Sequence, residues 1–118
     1  MSRVITTREL KRMMDTDERF VLVNVLDNGA YEQEHICGSI NIPLGDIEKD
    51  AREILDKGEK VVVYGSEPGS VETTLAAEKF ASLGYRDVVR YEGGMLEWTV
   101  KGLCTEGAVI ERQKRAAS

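Results

Sequence analysis

Two apolar segments of the chain have the pattern of buried β-strands. Phe20 to Val25 is almost continuously apolar and β-branched, and Lys60 to Tyr64 has the same character. Strands of a parallel sheet that helices cover on both faces show this pattern. Two shorter segments, Ser39 to Pro43 and Val88 to Tyr91, predict further strands.

Apolar residues three and four positions apart predict helices between these strands. Thr6 and Glu9 are spaced as a capping box, so a first helix should begin after Thr6. Further helices are predicted after Asp46, after Ser70 and from Met95 to Lys101. Alternating strands and helices are typical of an α/β fold with an open sheet. In the helix after Ser70, we expect these apolar positions to face the core: Leu75, Ala76, Phe80 and Leu83.

Length and charge narrow the possible classes of protein. A chain of 118 residues is enough for one domain, which we place at residues 1–107, followed by a charged tail at 108–118 that could be a frayed helix or disordered. The formal net charge is -5 and no long basic patch is present, so we expect no nucleic-acid partner. No apolar segment has the length of a bilayer span, and the N-terminus lacks the apolar core of a signal peptide. We therefore expect a soluble, cytoplasmic protein without a membrane partner.

Cysteine and histidine are scarce. Cys37 and Cys104 are far apart, lack CxxC spacing and form no disulfide framework, although a pair alone does not exclude one bridge. His35 is the single histidine, so no cluster of metal ligands with a recognisable spacing exists. We expect no metal and no cofactor.

Several separate segments, in this order and at this spacing, resemble the rhodanese-like domain family. They are Val21 to Val25 before Tyr31, His35 to Pro43, Val62 to Tyr64, Leu83-Gly84-Tyr85, Glu92 to Trp98, and Gly102-Leu103. The resemblance covers about Val4 to Leu103. It implies an open sheet of about five mostly parallel strands flanked by helices on both faces. The active loop should then lie at the carboxyl end of the strand that ends at Tyr64.

The resemblance gives Gly65 the position of the catalytic nucleophile. In active members of the family, a cysteine follows the tyrosine, accepts a sulfane sulfur from a donor such as thiosulfate and holds it as a persulfide. Some relatives have a second cysteine where this chain has Ser70. Glycine has no side chain, so the resemblance implies no catalytic residue at this position.

Charged residues near the loop also depart from the family pattern. Family members commonly have an aspartate and an arginine where this chain has Asn24 and Leu26. The loop and the start of the next helix contain Glu67 and Glu72 but no lysine or arginine, and negative charge opposes an anionic substrate.

These features favour a non-catalytic, rhodanese-like module that binds a protein partner or a small ligand, or regulates a partner. The candidate binding residues form one loop: Gly65, Ser66, Glu67, Pro68, Gly69 and Ser70. The alternative is a sulfurtransferase, sulfur carrier or redox protein that uses Cys37 or Cys104. We expect structural roles for His35, in a turn, and for the two loop serines, in turn formation and helix capping.

Overall fold

The computed structural model describes residues 3–117 and contains seven strands and six α-helices in that part of the chain. The strands are β1 (Arg3–Ile5), β2 (Val21–Asn24), β3 (His35–Ile36), β4 (Ile40–Asn41), β5 (Lys60–Tyr64), β6 (Asp87–Tyr91) and β7 (Thr105–Glu106). The helices are α1 (Thr7–Asp15), α2 (Asn28–Gln33), α3 (Ile47–Ile54), α4 (Val71–Ser82), α5 (Gly94–Val100) and α6 (Ala108–Ala117).

Five strands form one parallel sheet in the order β1-β6-β5-β2-β4. The predicted α/β sheet is therefore confirmed, with β5 at its centre. Alternate residues of β5 belong to two separate cores: Val61 and Val63 to one, Val62 and Tyr64 to the other. The first core includes residues of α3 and α4, and the second includes residues of α1 and α5. Because both faces of the strand are covered, its sequence is apolar without alternation.

The start of α1 confirms the predicted capping box. The Thr6 hydroxyl accepts a hydrogen bond from the Glu9 N–H at 3.1 Å, and the Glu9 carboxylate accepts one from the Thr6 N–H at 3.0 Å. The hydrogen bond that the Glu9 carboxylate accepts from the Thr6 N–H is the largest cause that lowers the pKa of Glu9. Asp46 is the N-cap residue of α3, but its side chain makes no capping hydrogen bond, and a 3₁₀ turn (Leu44–Asp46) precedes it.

The predicted inner face of α4 is partly wrong. Leu75 is 42% exposed, and Leu83 is only partly buried. The buried positions of the helix are Thr73, Ala76, Ala77 and Phe80. These positions form a regular stripe at i, i+3, i+4 and i+7, in which small residues let the helix lie close to the sheet.

The C-terminal segment is helical where the sequence left helix and disorder open. Arg112 of α6 donates a hydrogen bond to the side chain of Gln33 in α2 at 3.2 Å. The boundary between a domain at 1–107 and a tail at 108–118 stays a prediction. Within residues 3–117, no helix is both long and apolar enough to cross a bilayer.

Cys37 and Cys104 form a disulfide, which is the one bridge that the sequence had left open. The two cysteines are 67 residues apart in sequence, but β3 and β7 pair in antiparallel fashion, with Ile36 opposite Thr105. Continuing that register brings the cysteines together, and the Cys37 N–H donates to the Cys104 carbonyl at 3.1 Å. Disulfides are rare in cytosolic proteins, so the bridge does not support the expected cytoplasmic location, which stays a prediction.

Candidate functional site

The candidate loop, Gly65 to Ser70, joins the carboxyl end of β5 to the start of α4. Its first two carbonyls, those of Gly65 and Ser66, accept hydrogen bonds from the N–H groups of Met95 and Leu96 at 3.0 and 2.9 Å. The loop is thereby fixed against the beginning of α5.

Gly94 allows this close approach. It has a φ of +66°, and a Cβ at this position would lie 2.9 Å from backbone atoms of Ser66 and Glu67. A side chain would therefore push α5 away from the loop. This contact explains why the second glycine of Glu92-Gly93-Gly94 stands at position 94.

Side-chain oxygens fill the space beside Gly65. A Cβ built on this residue would lie 2.6 Å from Ser70 Oγ, 2.9 Å from Thr73 Oγ1 and 3.4 Å from Glu72 Oε2. The Ser70 and Thr73 hydroxyls are hydrogen-bonded to each other at 2.8 Å. Gly65 is buried, and its φ is not positive, so neighbouring side chains rather than backbone conformation restrict this position.

Two carboxylates, those of Glu67 and Glu72, give the loop region negative charge. Neither Glu67 nor Glu72 belongs to an ion pair with any residue between 3 and 117. Glu72 Oε2 is buried and has no hydrogen-bond partner in that part of the chain. Arg90 pairs with Glu92 at 2.9 Å. A carboxylate at the start of α4 therefore occupies the place where an anionic substrate would need donors.

Tyr64 is buried in a hydrogen-bond network behind the loop. Its hydroxyl accepts from Asn24 Nδ2 at 3.0 Å and from the Ile36 N–H at 3.1 Å, and it contacts Ser39 Oγ at 2.9 Å. Because Ser39 Oγ donates to the Ile36 carbonyl at 2.7 Å, the Tyr64 hydroxyl donates to Ser39. The side-chain oxygen of Asn24, Oδ1, in turn accepts from the Leu26 N–H at 2.9 Å. The neutral side chain of Asn24 thus connects Tyr64 to the Leu26 backbone at a position where family members commonly have an aspartate.

We expect the protein to lose stability in alkaline solution. Burial is the largest cause that raises the pKa of every tyrosine above its ordinary value of 10.0, and these residues are Tyr31, Tyr64, Tyr85 and Tyr91. The folded state therefore keeps protons that the unfolded state loses. This stabilisation is present below about pH 10 and is lost as the pH rises through the folded-state values.

Tyrosinate absorbance and Trp98 fluorescence, recorded together against pH, test this expectation. Tyrosinate should appear together with unfolding. Ionisation of all four tyrosines near pH 10, with the native Trp98 emission retained, would contradict it.

His35, the single histidine, contacts residues of α2 and β7. The His35 ring stacks on Tyr31 with 3.8 Å between ring centroids, and its Nδ1 is 2.7 Å from the Tyr31 carbonyl oxygen. His35 Nε2 lies 3.5 Å from Glu106 Oε1. All three contacts are with α2 and β7, which agrees with a structural role.

Ser70 is the N-cap residue of α4, as predicted, but its hydroxyl contacts Thr73 Oγ1 rather than a backbone N–H. Sequence reasoning missed Thr73 as part of the site. Its position three residues after Ser70, on the first turn of a helix, was the available signal.

Comparisons with known proteins agree with this fold. The family model of the rhodanese-like domain matches residues 6–101 of this sequence. The putative sulfur carrier protein YrkF of Bacillus subtilis is 32% identical over 97 residues, which cover 82% of this chain and 51% of that protein. The HTH-type transcriptional regulator Rv0324 of Mycobacterium tuberculosis is 33% identical over 107 residues, which cover 90% and 46%.

This chain therefore spans about half the length of the curated relatives that it matches. Among solved structures, the BH2092 protein of Bacillus halodurans superposes with a TM-score of 0.85 at 30% identity, over 92% of this chain and 79% of that one. The five-stranded parallel sheet, the loop after its central strand and the family match over most of the length lead to one conclusion: the chain belongs to the rhodanese-like domain family.

Proposed function

We propose that this protein is a rhodanese-like binding or regulatory module without sulfurtransferase activity. The observation that carries the proposal is the filled space beside Gly65. Oxygens of Ser70, Thr73 and Glu72 lie within 3.4 Å of the place where a Cβ would start. The position has no nucleophile, and side chains occupy the space that a nucleophile would need.

Electrostatics supports the same proposal. A persulfide mechanism needs a thiolate and an anionic sulfur donor in one cradle of N–H groups at a helix N-terminus. Here the carboxylate of Glu72 stands in the first turn of α4, and Glu67 adds a second negative charge in the loop. The loop is instead suited to a ligand that is neutral or cationic, and a protein segment is one such ligand.

Transfer of sulfur from thiosulfate to cyanide tests the proposal. The purified protein should form thiocyanate no faster than a reagent blank, with the disulfide intact and after its reduction. Transfer well above the blank in either state would overturn the proposal. An active single-domain sulfurtransferase assayed in parallel shows that the assay detects transfer.

A second candidate function is sulfur carriage through Cys37 or Cys104, which is favoured by the similarity to a protein named a putative sulfur carrier. The disulfide opposes it, because neither sulfur is a free thiolate while the bridge is closed. Mass spectrometry of the reduced protein after incubation with a persulfide donor separates the two functions. We expect no gain of a sulfur atom on either cysteine, and a stable gain would favour the second candidate.

A further inference from the structure

The outer face of α5 exposes two large apolar side chains beside the loop. Leu96 is 50% exposed and Val100 is 77% exposed. Their spacing of four residues places them on one side of the helix. The hydrogen bond from the Leu96 N–H to the Ser66 carbonyl holds this helix directly against the loop. An apolar surface is thus continuous with the candidate binding residues.

A shallow cavity of about 320 Å³ lies between this helix and the loop. Its lining residues are Glu34, Ser66, Glu67, Met95, Leu96 and Thr99. This volume is at the lower end of the range for small-molecule sites. It suits one inserted side chain of a longer ligand better than a whole cofactor.

Carboxylates stand at the cavity, and no described cation neutralises them. Neither Glu34 nor Glu67 forms an ion pair with any residue from 3 to 117. The Glu34 carboxylate accepts a hydrogen bond from the Thr105 hydroxyl at 2.9 Å, and Lys101, which follows α5, lies 3.7 Å from Glu97. A ligand that brings positive charge to this cavity gains attraction, whereas an acidic ligand meets repulsion.

We propose that the α5 face, defined as the six lining residues together with Val100, binds an extended basic segment of a partner protein. One aliphatic or aromatic side chain of the segment enters the cavity against Met95 and Leu96, and lysine or arginine side chains lie beside Glu34 and Glu67. The inference rests on the proposed function and names the chemistry of its partner. Charge alone is insufficient for stable binding, because exposed ion pairs contribute little free energy and salt screens them. The inserted apolar side chain is therefore needed as well.

A displayed library of random short peptides, with the whole protein as bait, tests this inference. Selected peptides should be enriched in lysine or arginine next to an aliphatic or aromatic residue. One selected peptide is then synthesised with a fluorescent label, and its affinity is measured by anisotropy at physiological salt.

Variants then locate the peptide. Leu96→Ser and Glu67→Lys should each weaken binding about tenfold or more, as expected for an anchoring contact. Ile54→Ser is the matched apolar control, because Ile54 is 51% exposed on α3. Glu53→Lys is the matched charge control, since it changes the net charge by the same amount as Glu67→Lys. Both controls should leave the affinity unchanged.

The inference would be overturned by no enrichment, by enrichment of acidic peptides, or by equal losses in the control variants. Self-association that Leu96→Ser abolishes, without any peptide selection, would assign the face to a second copy and also overturn it. The peptide result is independent of the thiocyanate assay. A protein that transfers sulfur but binds basic peptides on α5 would contradict only the proposed function. A protein that neither transfers sulfur nor binds basic peptides would contradict only this inference.

Discussion

Opening the Cys37–Cys104 bridge is expected to lower the free energy of unfolding by about 4 kcal/mol, because closing a loop of 67 residues restricts the unfolded chain by roughly that amount. Domains of this size are stable by only about 5–15 kcal/mol, so the loss is a large share of the total. Cys37→Ser, Cys104→Ser and chemical reduction of the unchanged protein should have similar effects.

Urea denaturation followed by Trp98 fluorescence measures this effect. Trp98 is the single tryptophan, is fully buried and donates a hydrogen bond to the Cys104 carbonyl at 2.8 Å. In reductant, the unchanged protein and both serine variants should unfold at similar urea concentrations. Two free thiols in the unreduced, denatured protein, or a midpoint that reductant does not move, would contradict the prediction.

The sheet and its connections were predictable because local patterns encode them. The bounds of β5 could be read directly from the apolar residues that follow Lys60 and end at Tyr64, and Thr6 with Glu9 marked the start of α1. The edge strand β1 was not predicted, since it has only three residues, Arg3–Ile5, two of them exposed. Such a strand is defined by its partner β6 rather than by its own pattern.

Other features depend on contacts between distant parts of the chain. Cys37 meets Cys104 only because β3 and β7 pair, and two strands of two residues each have no recognisable period. The inner face of α4 was misassigned because Thr73 and Ala77 are weakly hydrophobic, whereas Leu75 is strongly so. Burial was decided by how closely the helix lies against the sheet, which periodicity alone does not report.

The position of the candidate site could be predicted from the sequence, but the packing of its side chains could not. The family resemblance located Gly65 directly after β5 from sequence alone, and the sequence of the loop and the helix start contains the nearby Glu67 and Glu72. It did not show that Ser70 and Thr73 hydroxyls turn into the space beside Gly65, since side-chain rotamers at a helix start depend on packing. The sequence shows that residue 65 lacks a nucleophile, and the structure adds that side-chain hydroxyls occupy the space beside it.

Gly65→Cys is expected to give at most weak sulfurtransferase activity. The φ of Gly65 admits a side chain, but the new Cβ would lie 2.6 Å from Ser70 Oγ, so Ser70 must rotate and lose its hydrogen bond to Thr73. Overpacking of this kind costs about 1–3 kcal/mol of stability. The carboxylate of Glu72 would also disfavour the thiolate and the approach of thiosulfate.

Adding Glu72→Gln to Gly65→Cys separates charge from space. Neutralising the carboxylate should lower the pKa of the introduced thiol by about one unit, which corresponds to a tenfold larger thiolate fraction near neutral pH. Alkylation with iodoacetamide against pH measures this directly, since the native cysteines are bridged. Thiocyanate formation should rise in parallel. Glu78→Gln, at an exposed position of α4, is the matched control and should change neither rate.

Gly65→Ser supplies the control for volume, because it adds a similar side chain without a thiol. It should share the stability loss of Gly65→Cys and show no transfer. Robust transfer by Gly65→Cys alone would mean that the cradle is intact and that Glu72 does not oppose an anionic donor. Unchanged reactivity in the double variant would assign the inactivity to the hydroxyls of Ser70 and Thr73, and would remove the electrostatic support for a non-catalytic role.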